Sequence, residues 1–257
     1  MLVLDWTRRF TTRADNYAKY RPGYPLGIIR ILEHEIGFTK NQTVADIGSG
    51  TGLLTKLFLE NGNRVFGVEP NPRMRYHAEM HLSKFPRFVS VKGTAEHTTL
   101  RVRSVDLVTV GQALHWFNPD VTAIELARIS RPDAGLCIAY NETRRRSKIM
   151  RAFRKVTDRN EERRKNVPNV GMRYSKRFFE GGRLSEFILP NEQTLDFEGL
   201  IGRLLSGSHM PTRNEPGRLR KLERDARWLF DSFHEDGRIR LLYDTRLFVG
   251  RIAHRAN

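Results

Sequence analysis

The stretch VADIGSGTG, residues 44–52, decides the fold of this chain. Its first residues form a short, mostly apolar run that predicts a buried strand, and the amphipathic sequence at 51–61 predicts a helix. In an open α/β sheet, such a strand–turn–helix junction lies at the carboxyl edge where ligands bind. Gly48 and Gly50 would let the backbone approach a ligand and adopt dihedral angles that a side chain forbids. The stretch therefore predicts a ligand-binding turn.

The sequence around this turn alternates short apolar runs with amphipathic stretches. Because nearly continuous apolar runs are typical of strands covered on both faces, we predict a doubly wound, mostly parallel, Rossmann-like α/β sheet. The predicted strands are 43–47, 64–70, 87–93, 105–111 and 135–141, with a late strand or hairpin at 238–252; the predicted helices are 25–37, 51–61, 72–84, 121–130, 144–165, 197–206 and 216–234. With no linker visible, residues 1–257 are predicted to form one domain.

The spacing within the turn narrows the class of ligand. The glycines follow G-x-G-x-G, and Leu53 stands where a dinucleotide fingerprint has Gly or Ala; the Lys-Ser/Thr ending of a phosphate-binding loop is also missing. Glu69 ends the second strand run, where a carboxylate can accept both hydroxyls of a ribose. Asp46 could order the loop amides or face a cationic ligand. The alternative is an unrelated glycine turn with Glu69 as a surface acid.

Composition limits the environment and the partners. No run approaches the about 20 apolar residues that span a bilayer, and the start, MLVLDWTRRF, is not typical of a secretory signal. Cys137 is the only cysteine, so we expect no internal disulfide and a cytoplasmic protein without a membrane partner. The net charge is +16, and residues 143–165 hold eleven Lys/Arg against three Asp/Glu. This surplus favours anionic partners.

The motifs together resemble the class I S-adenosylmethionine-dependent methyltransferases. More narrowly, they resemble the methyltransferase type 11-like small-molecule enzymes that begin with a YxxYRPGYP-type segment. The matching segments are NYAKYRPGYP (16–25), VADIGSGTG (44–52), VFGVEPNPRM (65–74), GTAEHTTL (93–100), VDLVTVGQALHWF (105–117), AYNETR (139–144), LDFEGLIGRLLSGSHMP (195–211) and DGRIRLLYDTRLFVGRI (236–252).

This resemblance implies a seven-stranded sheet with helical lid insertions and S-adenosylmethionine as cofactor, released as S-adenosylhomocysteine. It also implies the organisation: N-terminal lid helices at 1–40, a cofactor-binding core at 41–142, a basic helical insertion or lid at 143–195, and C-terminal helices and last strands at 196–257.

The resemblance further implies which residues bind the cofactor. The glycine turn would hold the amino-acid end of the cofactor, and Glu69 would hold its ribose. Pro70 and Met74 would pack near the adenine, whose amine would contact Ala95 and Glu96. Gln112 would face the methionine portion, and three N-terminal residues would form a lid. The implied set is Tyr17, Tyr20, Arg21, Asp46, Gly48, Ser49, Gly50, Glu69, Pro70, Met74, Ala95, Glu96 and Gln112.

Catalytic candidates follow the fourth predicted strand. His115 is the candidate general base because imidazole titrates near neutral pH, or it only orients the loop or the substrate. Trp116 and Phe117 are expected to wall the acceptor pocket, or are plain core, and Asn141 borders that pocket. No cysteine and histidine spacing suggests a metal site.

Two departures from the family pattern stand near the fifth strand. SRPDAG (130–135) replaces LRPGG, so a turn glycine is lost, and Tyr-Asn-Glu (140–142) replaces Trp-Asn-Asp beside the acceptor pocket. The second departure weakens any transfer of substrate identity.

The partner is predicted to be a small-molecule acceptor, with an anionic acceptor as one option, and the protein a monomer or homodimer. A rival hypothesis is a nucleic-acid (RNA) methyltransferase or binder that uses the basic segment 144–165. Against it, GQAL follows VDLVTV where amino-methylating nucleic-acid enzymes carry Asn/Asp-Pro-Pro-aromatic.

Overall fold

The computed structural model describes residues 13–144, 146–161, 176–179, 181, 183–212 and 214–253. Its elements alternate between strands and helices as the sequence predicts. The helices are α1 Ala14–Tyr20, α2 Gly27–Ile36, α3 Leu53–Glu60, α4 Pro72–Leu82, α5 Pro119–Ile129, α6 Lys148–Asn160, α7 Phe197–Leu205 and α8 Pro216–Phe233. The strands are β1 Thr43–Ile47, β2 Arg64–Val68, β3 Phe88–Val91, β4 Val105–Gly111, β5 Ser130–Thr143, β6 Ser185–Leu195 and β7 Ile239–Arg251.

Seven strands form one sheet in the order β3-β2-β1-β4-β5-β7-β6. The pairs β1–β2, β1–β4, β2–β3 and β4–β5 are parallel. The order steps outward on either side of β1, which confirms the predicted doubly wound, mostly parallel sheet. In the register, Asp46 stands opposite Gly67 of β2 and Thr109 of β4. The carboxyl ends of these three strands therefore lie side by side.

The central strands are apolar on both faces because each face contacts a separate core. Ala45, Val108 and Ile138 belong to one buried cluster, whereas the neighbouring Val44 and Leu107 belong to the other. Successive strand side chains point to opposite faces, so this alternation places one cluster on each side of the sheet. The apolar runs of the sequence are explained in this way.

Local sequence sets the beginnings of two helices at this edge of the sheet. The side chain of Asn71 accepts hydrogen bonds from the first turn of α4, and Asn118 does the same for α5. Each cap is followed by proline at the first helical position, where a missing N–H costs nothing. Both helices thus start directly after the loops that follow β2 and β4.

Several predicted elements differ from the structure. β5 begins at Ser130 rather than at 135, the predicted basic helix α6 begins at Lys148 rather than at 144 and ends at Asn160, and β6 was not predicted. The late segment is one strand, β7, which is one of its two predicted forms. Residue 145 and residues 162–165 of the predicted basic helix lie outside the described residues. The lost turn glycine of SRPDAG is visible, because Asp133 adopts a φ of 61°.

The chain divides into two compact units. Unit 1 comprises the described parts of 1–22, 142–167 and 190–244, and unit 2 those of 23–141, 168–189 and 245–257. Unit 1 has its own apolar core, supplied mainly by α6, α7, α8 and the first half of β7. Organisation as one domain over 1–257 stays a prediction. None of the helices in the described ranges is both long and apolar enough to cross a membrane.

Candidate functional site

The glycine turn between β1 and α3 is built from backbone that only glycine adopts readily. Gly48, Gly50 and Gly52 have φ values of 68°, 57° and 83°. The amides of Gly48 and Ser49 donate to the carbonyl of Val68 at 2.8 and 3.1 Å, which fixes the turn to the end of β2. The predicted need for glycine at 48 and 50 is therefore observed.

Close packing adds a second reason for two of these glycines. A Cβ atom on Gly48 would stand 2.7 Å from Cβ of Ala113, and one on Gly52 would stand 2.6 Å from Cδ1 of Leu82. Both distances are shorter than real carbon contacts. At Gly50, the nearest atom to a built Cβ is Cε of Met74 at 3.4 Å. The structure thus brings Met74 beside the turn, and its packing near the adenine stays a prediction.

Glu69 links the turn to α4. Its Oε2 accepts from the amide of Gly50 at 3.0 Å and its Oε1 from the amide of Asn71 at 2.8 Å. The residue is 8% exposed. Burial raises the pKa of this carboxyl, while the two amides and the nearby Arg75 oppose the shift. A carboxylate has about four acceptor positions, so both oxygens keep capacity for a further donor each.

Asp46 is the second acid, and it is almost completely buried at 1% exposure. Its carboxylate accepts from the hydroxyls of Thr55 at 2.6 Å and Thr109 at 3.0 Å. Burial raises the pKa of Asp46 to about 6, although these hydrogen bonds act in the opposite direction. Its described partners are hydroxyls of α3 and β4 and a backbone N–H of Thr55, not the amides of the glycine turn.

Cys137 lies on the neighbouring strand β5 and is fully buried. Burial, together with the negative charge of Asp46, raises the pKa of this thiol to about 12. A thiol with such a pKa is not a nucleophile near neutral pH. Cys137 therefore acts as a small core residue.

The start of α4 supports the end of β2. Arg75 donates from Nη1 to the carbonyls of Glu69 at 2.9 Å and Pro70 at 3.0 Å. Met74, itself buried, donates its amide to the side chain of Asn71 at 3.1 Å. Pro70 and Met74 are therefore held next to the predicted ribose acid.

The loop that carries Ala95 and Glu96 is held by a residue that sequence reasoning missed. Glu125 of α5 accepts from the amide of Thr98 at 2.8 Å and is paired with Arg128 at 2.6 Å. Burial opposes ionisation of Glu125, but hydrogen bonds from Arg128 and Thr98 keep its pKa below the usual value. Residues 98 and 125 are far apart in sequence, so no local signal indicates this link.

Glu96 itself contacts the next loop. Its Oε1 accepts from the amide of Asn118, the cap of α5, at 2.8 Å. Ala95 is buried in the core beneath it. Glu96 and Thr98 thus join the loop at 94–98 to α5 and its cap.

Gln112 and Asn141 meet at the ends of β4 and β5. Gln112 has a φ of 58° and donates its side-chain amide to the carbonyl of Asn141 at 3.0 Å. The Asn141 side chain donates to the carbonyl of Gly23 at 3.0 Å and accepts from the hydroxyl of Thr245 at 2.6 Å. The predicted cofactor residue and the predicted pocket residue are therefore neighbours.

His115 and its aromatic neighbours occupy a short 3₁₀ turn, Leu114–Trp116, directly after β4. The rings of His115 and Trp116 stand 4.6 Å apart between centroids, and both residues are half-buried. Phe117 reaches the glycine turn, since its Cζ is 3.3 Å from a Cβ built on Gly48. An imidazole is thus placed on the loop that packs against the turn.

The three predicted lid residues belong to unit 1. The guanidinium of Arg21 stacks on the ring of Tyr17 at 4.8 Å and donates to the carbonyl of Ser206 at 3.0 Å. The hydroxyl of Tyr20 donates to Glu198 at 2.8 Å. These contacts anchor α1 to α7 inside unit 1, and closure over a cofactor stays a prediction.

Comparison with known proteins gives a consistent result for the central part of the chain. Residues 45–138 match the family model described as "Methyltransferase domain". This match begins after NYAKYRPGYP and leaves that segment outside it. An uncharacterized methyltransferase of Mycobacterium bovis is 35% identical over 137 residues, which cover 53% of this chain and 54% of the relative.

Two relatives from yeasts extend the comparison. An uncharacterized methyltransferase of Schizosaccharomyces pombe is 30% identical over 135 residues, which cover 52% of this chain and 53% of the relative. A Saccharomyces cerevisiae protein, named as a probable S-adenosylmethionine-dependent methyltransferase, is 32% identical over 124 residues, with 46% and 42% covered. The chain therefore spans about half the length of the curated relatives it matches.

Solved structures share the fold. A candidate type II methyltransferase from Anaeromyxobacter dehalogenans has a TM-score of 0.68 at 22% identity, covering 92% of this chain and all of that one. A candidate methyltransferase from Anabaena variabilis has a TM-score of 0.59 at 20% identity, with 91% and 99% covered. These structures show the same α/β fold, and residues 45–138 are similar to the methyltransferase domain.

Proposed function

We propose that the chain is an S-adenosylmethionine-dependent methyltransferase. The observation that carries this proposal is the turn at 48–52, where three left-handed glycines lie near two buried acids. Asp46 belongs to β1, and Glu69 directly follows the adjacent parallel strand β2. The match of residues 45–138 to the methyltransferase domain supports it independently. The name of the Saccharomyces cerevisiae relative supports the choice of cofactor.

The residues present fit this cofactor. The glycines leave the turn without side chains, as a closely approaching ligand requires. Glu69 uses each carboxylate oxygen once, so it retains acceptors for ribose hydroxyls. Pro70, Met74, Ala95 and Glu96 would hold the adenine, and Gln112 the methionine portion.

When bound, S-adenosylmethionine supplies a methyl group already activated on a sulfonium, and S-adenosylhomocysteine is the product. The protein's task is then to orient an acceptor in line, exclude water and, where needed, remove a proton. Orientation alone can lower a barrier by about 7–11 kcal/mol. Trp116, Phe117 and Asn141 would shape the acceptor pocket, and His115 would accept the proton at an imidazole nitrogen.

We further propose a small-molecule acceptor. The loop after β4 carries aromatic rings, and the last part of β5 carries the amide of Asn141, which together suit a compact organic molecule. The net charge of +16 supports an anionic acceptor as one option.

Among the described residues, no contact of the basic segment favours the rival hypothesis of a nucleic-acid enzyme. In the described part of the basic segment, α6 buries Met150, Phe153 and Val156 in unit 1, and Arg154 pairs with Asp158 at 3.6 Å. An amphipathic helix with a solvated basic face accounts for these contacts.

A methyl-transfer screen tests the proposal. Labelled S-adenosylmethionine is offered with panels of small metabolites, including carboxylic acids, and with RNA in parallel. We expect incorporation into a small molecule; incorporation into RNA alone would overturn the acceptor class, and failure to bind S-adenosylhomocysteine would overturn the cofactor assignment.

Two histidine variants test the catalytic base. His115→Ala should lower turnover by about 10²–10⁴-fold while leaving affinity for S-adenosylhomocysteine nearly unchanged, because a general base acts on the reaction step. His81→Ala, on the exposed face of α4, is the matched control. Equal turnover of His115→Ala and the wild type would exclude the base.

A further inference from the structure

Unit 2 contains a cavity at the edge of the sheet opposite to the glycine turn. Its volume is about 500 Å³, and it lies among the loops that precede the neighbouring parallel strands β1, β2 and β3. Its lining includes Lys40, Asn41, Gly62, Phe85, Pro86 and Arg87. The glycine turn follows β1, whereas these loops come before the same strands. The cavity is therefore separate from the proposed methyl-transfer site.

A buried amide holds the walls of this cavity in place. Asn63 is 0% exposed, and its side-chain nitrogen donates to the carbonyls of Thr39 at 2.9 Å and Gln42 at 2.8 Å. These bonds tie the loop before β2 to the loop before β1. The guanidinium of Arg87, in the loop before β3, donates to the carbonyl of Gly62. The three loops are thus joined to one another, so the cavity exists before any ligand arrives.

The charged side chains that line the cavity are both cations, Lys40 and Arg87. Both residues are exposed, and neither is paired with a carboxylate among the described residues. The surrounding loop segments add to this charge, because together they contain four Lys or Arg and no Asp or Glu: 39–42, 61–64 and 84–87. Such a surface attracts anions.

The nearest acids along the chain are already paired elsewhere. Glu60, at the end of α3, lies 3.5 Å from Lys56. Asp106, at the start of β4, lies 2.8 Å from Arg131 and also accepts from the amide of Thr43 at 2.8 Å. The positive charge of the cavity is therefore available to a ligand.

Apolar side chains form the rest of the lining. Leu59 of α3 is buried, and the ring of Phe85 is half-buried beside Pro86. The Lys84 ammonium lies 5.2 Å from the centroid of the Phe85 ring, which brings a further cation to this side of the cavity. Apolar surface next to a few polar groups is the usual composition of a small-molecule site.

We propose that this cavity binds a small organic phosphate, a phosphate monoester with an apolar or aromatic body. A phosphate monoester carries a charge of about −1.5 to −2 at pH 7, which matches two cations better than the single charge of a carboxylate does. The Arg87 guanidinium offers a planar fork to two phosphate oxygens, and the Lys40 ammonium acts as a point charge. The side-chain amide of Asn41 can donate to the third oxygen, while Phe85 contacts the body.

This site goes beyond the proposed methyl transfer and does not depend on it. Binding of a phosphate monoester requires neither cofactor nor turnover, and it should persist in the presence of S-adenosylhomocysteine. The failure of this inference and the failure of the proposed function are therefore distinguishable.

Calorimetric titration of the full chain with phenyl phosphate, at pH 7.5 and constant ionic strength, tests the inference. Inorganic phosphate lacks the body and benzoate lacks the second charge, so both should bind more weakly than phenyl phosphate. Arg87→Met should weaken binding of phenyl phosphate at least about tenfold, because it removes charge-assisted hydrogen bonds. Arg30→Met is the matched control, since Arg30 is exposed on α2 and does not line the cavity.

Asn41→Asp covers the case in which Arg87→Met does not fold. It keeps the size of an exposed side chain but adds a negative charge to the lining, so it should also weaken binding. Absence of phenyl phosphate binding to the wild type, unchanged affinity in the folded Arg87 and Asn41 variants, equal loss in Arg30→Met, or displacement by S-adenosylhomocysteine would each overturn the site. Equal affinity for inorganic phosphate would overturn the apolar body, and tighter binding of benzoate would overturn the phosphate class.

Discussion

The two units bury charges of opposite sign and satisfy them in different ways. In unit 2 the buried charges are carboxylates, and Asp46, Glu69 and Glu125 each accept hydrogen bonds from groups of the same unit. In unit 1 the buried charge is the cation of Arg203, which has two rings and one hydroxyl around it.

This difference separates charges that the protein pairs inside its core from a cation whose terminal nitrogens reach solvent. The acids of unit 2 fix a backbone turn and two loops, so that their geometry exists before any ligand arrives. A cation whose head group reaches solvent keeps part of its hydration, and its stem and rings contribute mainly packing. Substitution of the unit 2 acids should therefore destabilise the protein more than substitution of Arg203.

The largest effect is expected from Gly48→Ala in unit 2. Alanine at a φ of 68° costs about 1–2 kcal/mol, and its Cβ, 2.7 Å from that of Ala113, adds overpacking of about 1–3 kcal/mol. The free energy of unfolding should fall by roughly 2–5 kcal/mol, with loss of cofactor binding. Chemical denaturation and calorimetric titration measure the two quantities.

Gly37→Ala is the matched control for this change. Gly37 has nearly the same φ, 66°, but a Cβ there would meet nothing within 4 Å. It should lower the free energy of unfolding by only about 1–2 kcal/mol, the backbone part of the effect, and leave cofactor binding intact. Equal destabilisation by both variants would show that the contact with Ala113 contributes nothing.

Asp46→Asn should remove a pH-dependent loss in the free energy of unfolding. Because burial raises the pKa of Asp46 from 3.8 to about 6, the folded state binds the proton more tightly than the unfolded one. Stability therefore falls as pH rises from about 4 to about 6, by about 3 kcal/mol in total. Asparagine carries no charge and can still bond both threonines, so the variant should exceed the wild type most at pH 8.

Melting curves of both proteins between pH 4 and pH 8 measure this effect. The difference in stability should become small near pH 4, where Asp46 is protonated in the folded state and only about half ionised in the unfolded one, and should vanish below that pH. A difference that stays constant over this range would contradict the buried charge as its cause.

Glu125→Gln should have an intermediate effect on stability and on KM for the cofactor, because Glu125 holds the loop at 94–98. It leaves Arg128 without its carboxylate and weakens the bonds from Thr98, at a cost of about 1–3 kcal/mol. Because Glu125 positions the loop and touches no reacting atom, KM for the cofactor should rise about tenfold with kcat nearly unchanged. Steady-state kinetics separate the two constants.

Glu79→Gln provides the control, since Glu79 also accepts a hydroxyl, that of Ser90 at 2.6 Å, but on the exposed surface. It should leave KM as in the wild type. A fall in kcat with constant KM in Glu125→Gln would contradict the positioning role.

The smallest effect is expected in unit 1. Arg203→Met should change the free energy of unfolding by less than about 1 kcal/mol, because methionine keeps an apolar stem of similar size and loses only a solvent-reached cation–π contact. Urea denaturation measures it. A loss above about 3 kcal/mol would mean that the protein itself pairs this charge, and the contrast between the units would fail.

The sequence by itself determined the central strands, the glycine turn and the two acids beside it. These features depend on neighbours in the chain, since apolar runs and glycines act over a few residues. For this reason β1 and β4 were predicted with their observed bounds. Even the effect of the lost turn glycine at Asp133 was readable from its position in SRPDAG.

Only the tertiary structure decided what joins distant segments. Strand β6 contains Pro190, and its residues alternate between exposed and half-buried. The proline is tolerated in this strand because β6 lies at the edge of the sheet. The link between Thr98 and Glu125 and the position of Arg203 between the rings of Phe153 and Tyr243 depend on packing across the fold. Burial sets the energy of a charge, and burial is a property of the folded chain rather than of local sequence.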